Sequence, residues 1–384
     1  MTKKIDIKCD ILYLGDIMNR KKKIKVLAKL MNEKSLIKIP LIPPIIKCFD
    51  ILLANEQLSF LLSLKEQKYS YQQLKDLYHK EDFDTFIYPL LHYGFIWCLH
   101  EQYELAPIFP GWIEVCISGP LDDKKRQVID EFRHFEEFLK MVNLPGIRHY
   151  LNYHNIKSLN KEPARMSTLP ANRKIQLHKK IETQQEIIQH KDVYSLLEQH
   201  PHDIAVMNCM CRLMKQIDHH ECQYHMPLKA CLTIGSFASQ IVKYQIGEKI
   251  SLDEAKQIVD ECSKKGAIHT IYHYGMNTNN EEICICNCCK DCCFLYGSVQ
   301  EGAVSNIRVK AHYISKIKND VQCIQCHQCM HYCPCDAIQV DKHVIIDERR
   351  CIGCGQCEKR CPKDVFEMIY HPRNIFVETK GGKK

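Results

Sequence analysis

The chain has 384 residues, 45% of them hydrophobic and 26% charged, with a formal net charge of +7. That is the balance of a globular protein long enough for two or three separate cores. No apolar run approaches the roughly 20 residues of a membrane-spanning helix, and the lysines of Met1 to Asp10 precede no hydrophobic segment, so no export signal is read and a cytoplasmic setting is expected.

Residues 1–44 read as a basic, amphipathic helical lead. Ile24, Leu27, Leu30 and Met31 recur at helical spacing beside a lysine-rich, solvated face, and Pro40, Pro43 and Pro44 break the pattern. Within residues 45–116 a first helix is expected over 51–64. Ser70 with Gln73 is a capping box for a second, and a third runs from Phe83 to Tyr93 and stops at Gly94. Phe95–Leu99, a polar turn and Tyr103–Leu105 follow as a β-hairpin. Three helices and a hairpin resemble a winged helix, whose third helix would read DNA. That helix begins Glu81-Asp82-Phe83-Asp84 and has no Arg or Lys after Lys80. Phosphate and guanine contacts both need cations, so packing or protein contact is expected there instead of nucleic acid. Residues 117–200 form a helical connector: a helix from Lys124 to Met141 with Phe132, Phe135, Phe138 and Leu139 on its packing side, then linkers at Pro145-Gly146 and Pro163–Pro170. Arg165 has no role that spacing assigns.

Of the 24 cysteines only Cys9, Cys48, Cys98 and Cys116 precede residue 200, and these are expected in apolar cores. In a cytosolic chain of this length, crowding of the remainder points to metal instead of disulfides. Residues 201–300 form a cysteine-rich middle domain: Cys209-Met-Cys211-Arg212, then Cys222 and Cys231, then six thiols in Cys284-Ile-Cys286-Asn-Cys288-Cys289-Lys-Asp-Cys292-Cys293. Adjacent thiols cannot all reach one metal from one short loop. Cys209, Cys211, Cys222, Cys231, Cys286, Cys288, Cys289, Cys292 and Cys293 are therefore expected to serve a metal site jointly, a third iron–sulfur cluster being favoured over structural zinc, a thiol relay or inert thiols. Arg212 is placed to offset thiolate charge. His219, His220 and His225 flank Cys222, and the ordinary reading is that they are solvated. Ser251 and Glu254 form a capping box for a helix burying Ala255, Ile258, Val259 and Cys262 and ending before Gly266.

Residues 301–384 hold the most specific signal. Cys323-Ile-Gln-Cys326-His-Gln-Cys329-Met-His-Tyr-Cys333-Pro334 and Cys351-Ile-Gly-Cys354-Gly-Gln-Cys357-Glu-Lys-Arg-Cys361-Pro362 each match the C-x2-C-x2-C-x3-C-P run of bacterial-type ferredoxins, in which the fourth cysteine of a run ligates the other cluster. Two [4Fe–4S] clusters are expected, one on Cys323, Cys326, Cys329 and Cys361, the other on Cys351, Cys354, Cys357 and Cys333. Cys335 is surplus. Hairpin strands are expected over 337–340 and 344–346, with an echo at 365–368, and Gly353 and Gly355 let the backbone approach a cluster. The sequence Cys323-Ile-Gln-Cys326-His327 also fits a haem c attachment motif, but it lies inside the ferredoxin run and no export is expected. Two clusters at roughly −2 each would leave a net charge of about +3, weak support for a nucleic-acid partner.

Together these motifs resemble a family of anaerobe iron–sulfur proteins joining a winged-helix-like front, a Cys-x-Cys-Arg and Cys-Asn-Cys-Cys middle, and a dicluster ferredoxin end. Members often carry another cysteine where Asp291 stands, so either Asp291 is a substitute ligand or that position is not essential. The resemblance implies cluster binding far more than any reaction. An α+β chain and a redox partner protein are expected from the elements and motifs, and the oxygen sensitivity of exposed clusters makes an anaerobic cell and electron transport the expected setting. The chain has no nucleotide loop, no strand-borne G-x-G-x-x-G and no C-x3-C-x2-C, so no catalytic residue is assigned. An electron carrier or oxidoreductase subunit is expected, with a redox-sensing winged-helix regulator, or an enzyme whose middle cluster binds substrate, as the alternatives.

Overall fold

The computed structural model describes residues 19–35, 38–64, 67–141, 166–169, 193–273, 282–294, 313–348 and 350–370. They mix helices and strands in an α+β arrangement and fall into two compact units, the first holding the described residues up to 141 together with Gln240–Gly247. Among the described residues no helix is long and apolar enough to cross a membrane.

The first unit begins with α1 (Arg20–Glu33), which buries Ile24, Leu27, Ala28 and Met31. Its start is fixed by Asn19, whose side chain accepts from the Lys22 amide at 3.0 Å. Pro43 and Pro44, unable to continue a preceding helix, open α2 (Pro43–Leu52) at its first turn. The 51–64 helix expected from sequence is interrupted at Leu53 and Ala54, and α3 spans Asn55–Ser63. The Ser70–Gln73 box opens α4 (Tyr71–Tyr78) as expected, and α5 (Phe83–His92) ends just before the hairpin of β1 (Ile96–Leu99) and β2 (Gln102–Leu105). Tyr69 joins the hairpin edge by a reciprocal pair of backbone hydrogen bonds with Tyr103. A π-helical turn over Ile108–Trp112 leads into α6 (Ile113–Ser118), and α7 runs from Asp123 to Met141.

Phe49, Phe95 and Trp112 pack with centroids 4.7–5.5 Å apart at the centre of this unit. Full burial of each aromatic removes 150–250 Å² from water. Phe132 and Phe135 are buried on α7, and Phe138 is half-buried; the side chain of Leu139 lies outside the described residues. Cys48 and Cys116 are fully buried, and burial pushes the Cys116 thiol up to about 12, as suits an inert core thiol. Cys98 is only half-buried, and Cys9 lies outside the described residues.

The second unit is built on a six-stranded antiparallel sheet ordered β3-β7-β8-β5-β4-β6. The strands are β3 (Met166–Leu169), β4 (Ile204–Asn208), β5 (Lys229–Ile234), β6 (Glu248–Lys249), β7 (Ile268–His273) and β8 (Glu282–Cys288). Part of the stretch from Pro163 to Pro170, expected as a linker, is the edge strand β3. Arg165 lies outside the described residues. α8 (Val193–Glu198) and α11 (Leu252–Lys264) cover one face; Ala255 and Val259 meet Leu196, Ile204, Leu232 and Ile285 in a closed core. Ile258, expected inside, is only partly buried. α9 (Met210–Ile217) follows β4, and α10 (Gly235–Lys243) follows β5.

A buried histidine in this sheet sets a pH limit. His269, on β7, pairs its Nδ1 with Asn287 Oδ1 at 2.6 Å, has no partner for Nε2 among the described residues, and is pushed down to about 4 by burial. Its folded pKa lies below the unfolded value of about 6.5, so the unfolded chain takes the proton first and stability falls as pH drops from about 6.5 toward 4. From pH 7 to 5 the loss is about 2 kcal/mol. Denaturation curves of the native chain and of His269→Gln at both pH values check this; the difference between the two proteins should shrink as pH falls.

The C-terminal part of the second unit has its own small sheets. β10 (Ile338–Val340) and β11 (Val344–Ile346) form the expected hairpin. The expected echo at 365–368 falls in β12 (Phe366–Tyr370), which pairs with β9 (Tyr313–Ile317), a strand that the hairpin reading missed. α12 (Gln328–Tyr332) and α13 (Gln356–Arg360) sit between. The ends of these two helices dock on the end of α11. Gln356 Nε2 donates to Ala267 O at 2.6 Å, Arg360 Nη2 donates to Ser263 O at 3.1 Å, and Arg360 lies 4.2 Å from the Tyr332 ring centroid. Gly266, at φ +96, allows this approach: a Cβ there would stand 2.4 Å from Tyr332 Cδ1. Gly266→Ala should therefore lower stability by about 1–3 kcal/mol, read as a drop in melting temperature.

Candidate metal centres

The two cysteine runs fold alike because they use the same backbone turns. Gly353 and Gly355 have φ of 77° and 76°, and their counterparts Gln325 and His327 hold the same left-handed region at 53° and 57°. Asp336 and Asp364, each three residues after the last cysteine of its run, repeat the match at 47° and 51°. The second run uses glycine at two of these positions, whereas the first carries the strain of side chains there.

Cys323, Cys326, Cys329 and Cys361 line one cavity, and Cys333, Cys351, Cys354 and Cys357 line another. Of the eight run cysteines, each cavity takes three from one run and one from the other, and Cys335 lines the second cavity as a fifth. Pro362 borders the first and Pro334 the second, each turning the chain away after the fourth cysteine of its run. Backbone amides aim at the sulfurs: Gln325 N–H to Cys323 at 3.4 Å, Val365 N–H to Cys361 at 3.5 Å and Ala337 N–H to Cys333 at 3.3 Å. Burial pushes the thiols of Cys329 and Cys357 up to about 11 and 12, and raises Cys333 and Cys354 as well. A bare thiolate is thus disfavoured in either cavity, and cation ligation is what would make these sulfurs anionic. The donor set of four soft sulfurs with amide donors suits an iron–sulfur cluster. Cys335, surplus in the sequence, is buried against the second cavity. His327, of the formal haem motif, is exposed and sits 3.4 Å from Met330 Sδ.

In the middle, strand alternation organises the thiols. Successive β8 residues face opposite ways, so Ile285 enters the helix-covered core while Cys284, Cys286 and Cys288 share the other face. Cys231 stands directly across from Cys286 on β5. Its sulfur lies 3.3 Å from that of Cys284 and 3.8 Å from that of Cys286. Hydrogen bonding continues from Cys286 to Cys288, Cys293, Cys211 and Cys209. Cys209, donated to by Cys211 and facing Arg212, is drawn down to about 6 against its burial.

A second group stands apart: Cys222, Cys289 and Cys292, with sulfurs within 4.8 Å of one another. The nine middle cysteines predicted from sequence thus come together as two groups, and Cys284 joins the larger. Its inclusion was readable in Cys284-x-Cys286-x-Cys288, because alternation in a strand puts all three on one face. Asp291 Oδ2 lies 3.5 Å from Cys292 Sγ, 2.9 Å from His220 Nε2, and accepts from Gln223 N–H at 2.9 Å. His219 and His225 are exposed.

Arg212 is 2% exposed. Nη1 donates to Pro227 O at 2.6 Å, Nη2 donates to Asn287 O, and Nε has no nitrogen or oxygen partner among the described residues. Burial opposes its charge, yet the neighbouring sulfurs of Cys209 and Cys289 hold its pKa above the ordinary arginine value. A buried guanidinium needs nearby negative charge, and here sulfur supplies it.

The tandem runs, their turns and their two cavities define an iron–sulfur module of ferredoxin type. Residues 322–365 match the family model of the 4Fe-4S dicluster domain, so the chain carries such a domain near its C-terminus. No curated protein and no solved structure matches the chain.

Proposed function

We propose that this chain is an iron–sulfur electron-transfer protein with two [4Fe–4S] clusters in its C-terminal module and a thiolate metal centre in its middle domain. Cys323, Cys326, Cys329 and Cys361 would hold one cluster, and Cys351, Cys354, Cys357 and Cys333 the other. The observation that carries this reading is the pair of cavities, each collecting three sulfurs from one run and one from the other. Bound clusters supply one-electron chemistry; the chain contributes thiolates, amide donors and burial, the levers on potential. Packing supports exchange with the middle thiols. Tyr224, two residues from Cys222, packs its ring at a tilt 5.5 Å from that of Tyr332 and donates its hydroxyl to His331 O at 3.1 Å, and Tyr332 adjoins Cys333.

The domain reading pairs this module with a winged-helix-like front over residues 45–116. The helices α3, α4 and α5, the hairpin and the Tyr69–Tyr103 bridge support that architecture, with α2 as a further helix ahead of them. We assign it to docking a redox partner. Glu81, Asp82 and Asp84 at the start of α5 argue against DNA phosphates as that partner. The test is reductive titration of the anaerobically reconstituted protein with a one-electron dye. The reading requires uptake of at least about two electrons per chain, returned on reoxidation. A protein that takes up none, or that binds duplex DNA specifically at physiological salt in a redox-dependent way, favours the regulator reading instead.

A further inference from the structure

We propose that Cys222, Cys289 and Cys292, closed by Asp291, form a separate mononuclear zinc site, distinct from the larger thiol network of the middle domain. The proposal rests on reading that domain as metal-binding and divides its ligands between two centres. Zinc–sulfur bonds of about 2.3 Å in a tetrahedron set neighbouring sulfurs about 3.8 Å apart. Cys222 and Cys289 sulfurs stand at 3.7 Å. With zinc–oxygen bonds near 2.1 Å the sulfur–oxygen edge is about 3.6 Å. Asp291 Oδ2 lies 3.5 Å from Cys292 Sγ but groups with His220 and Cys292, so its carboxylate would turn toward Cys222 and Cys289 to complete the tetrahedron. A cubane spreads its four thiolates over four irons, and among the described residues no group of three close-set ligands includes a cysteine of the ferredoxin runs. The spacing at Cys222 is that of one ion.

The doublets Cys288-Cys289 and Cys292-Cys293 explain why two centres are needed. Neighbouring side chains point apart, so each doublet sends one sulfur to each group: Cys288 and Cys293 to the network, Cys289 and Cys292 to the new site. Local backbone supports the ligands. Cys292 N–H points at Cys289 Sγ at 3.4 Å, and the amides of Tyr224 and Met226 face Cys222. His220 and Gln223 N–H hold the Asp291 carboxylate, the outer shell that orients a ligating carboxylate. Tyr224, Met226, Ala230, Cys262 and Ala267 wall the site with apolar surface.

Zinc, iron and acid-labile sulfide per chain, measured on full-length protein after anaerobic reconstitution with iron, sulfide and zinc, test the assignment. About one zinc is expected beside the cluster iron. Cys222→Ser should lose that zinc and keep the iron and sulfide. His220→Ala should weaken it roughly 10–100-fold in competition with a chelator. Replacing zinc with Co2+ should give thiolate-to-cobalt absorption, which Cys222→Ser abolishes. Wild-type protein that binds neither zinc nor cobalt, zinc retained in Cys222→Ser, or iron without sulfide in that position would each overturn the site. Loss of cluster iron with zinc intact would count against the electron-transfer reading alone.

Discussion

Cys361→Ala should remove the cluster of the first run, although Cys361 belongs to the second. Reconstituted protein is expected to lose about four irons per chain, and the remaining EPR signal should be the one that also survives Cys323→Ala. Cys333→Ala should instead reproduce the spectrum of Cys351→Ala. The pairing follows from the cavities: Cys361 faces Cys323, Cys326 and Cys329, and Cys333 faces Cys351, Cys354 and Cys357. If Cys361→Ala behaves like Cys351→Ala, each run holds its own cluster and the crossed arrangement is wrong.

Arg212→Met should lower the stability of the metallated protein by about 3–5 kcal/mol and weaken metal retention in the middle domain, because it strips the cation from buried sulfur charge. Arg212→Lys should rescue little: an ammonium cannot fork to Pro227 O and Asn287 O while facing the sulfurs of Cys209 and Cys289. In chelated, reduced protein most of these thiols are neutral, Cys209 at about 6 being the exception, so less sulfur charge faces the buried guanidinium. The penalty of Arg212→Met should then be markedly smaller. Melting temperatures of both proteins in both metal states decide it, and equal penalties would show that Arg212 serves only its two carbonyl contacts.

Much of the C-terminal site was legible because cluster ligation is written in local spacing. Two residues between thiols and a proline after the fourth are constraints of one short loop, so sequence alone shows them. Caps were equally local: Ser70 with Gln73 and Ser251 with Glu254 open helices where the pattern places them. What escaped depends on partners distant in sequence. Nothing near Tyr313 announces that β9 pairs with β12, and nothing near Met166 announces an edge strand against β7. The division of the middle thiols is of the same kind. It arises where β8 ends and adjacent cysteines point to opposite sides, bringing Cys222 to Cys289 across 67 residues. Asp291 drew notice only through the family resemblance; its hold by His220 and Gln223 is tertiary.

The residues from Cys323 to Cys361 should carry two cubane clusters. The direct measurement is iron and acid-labile sulfide per chain after anaerobic reconstitution. Two clusters require at least about eight of each. Four or fewer of either in fully loaded protein would contradict the claim.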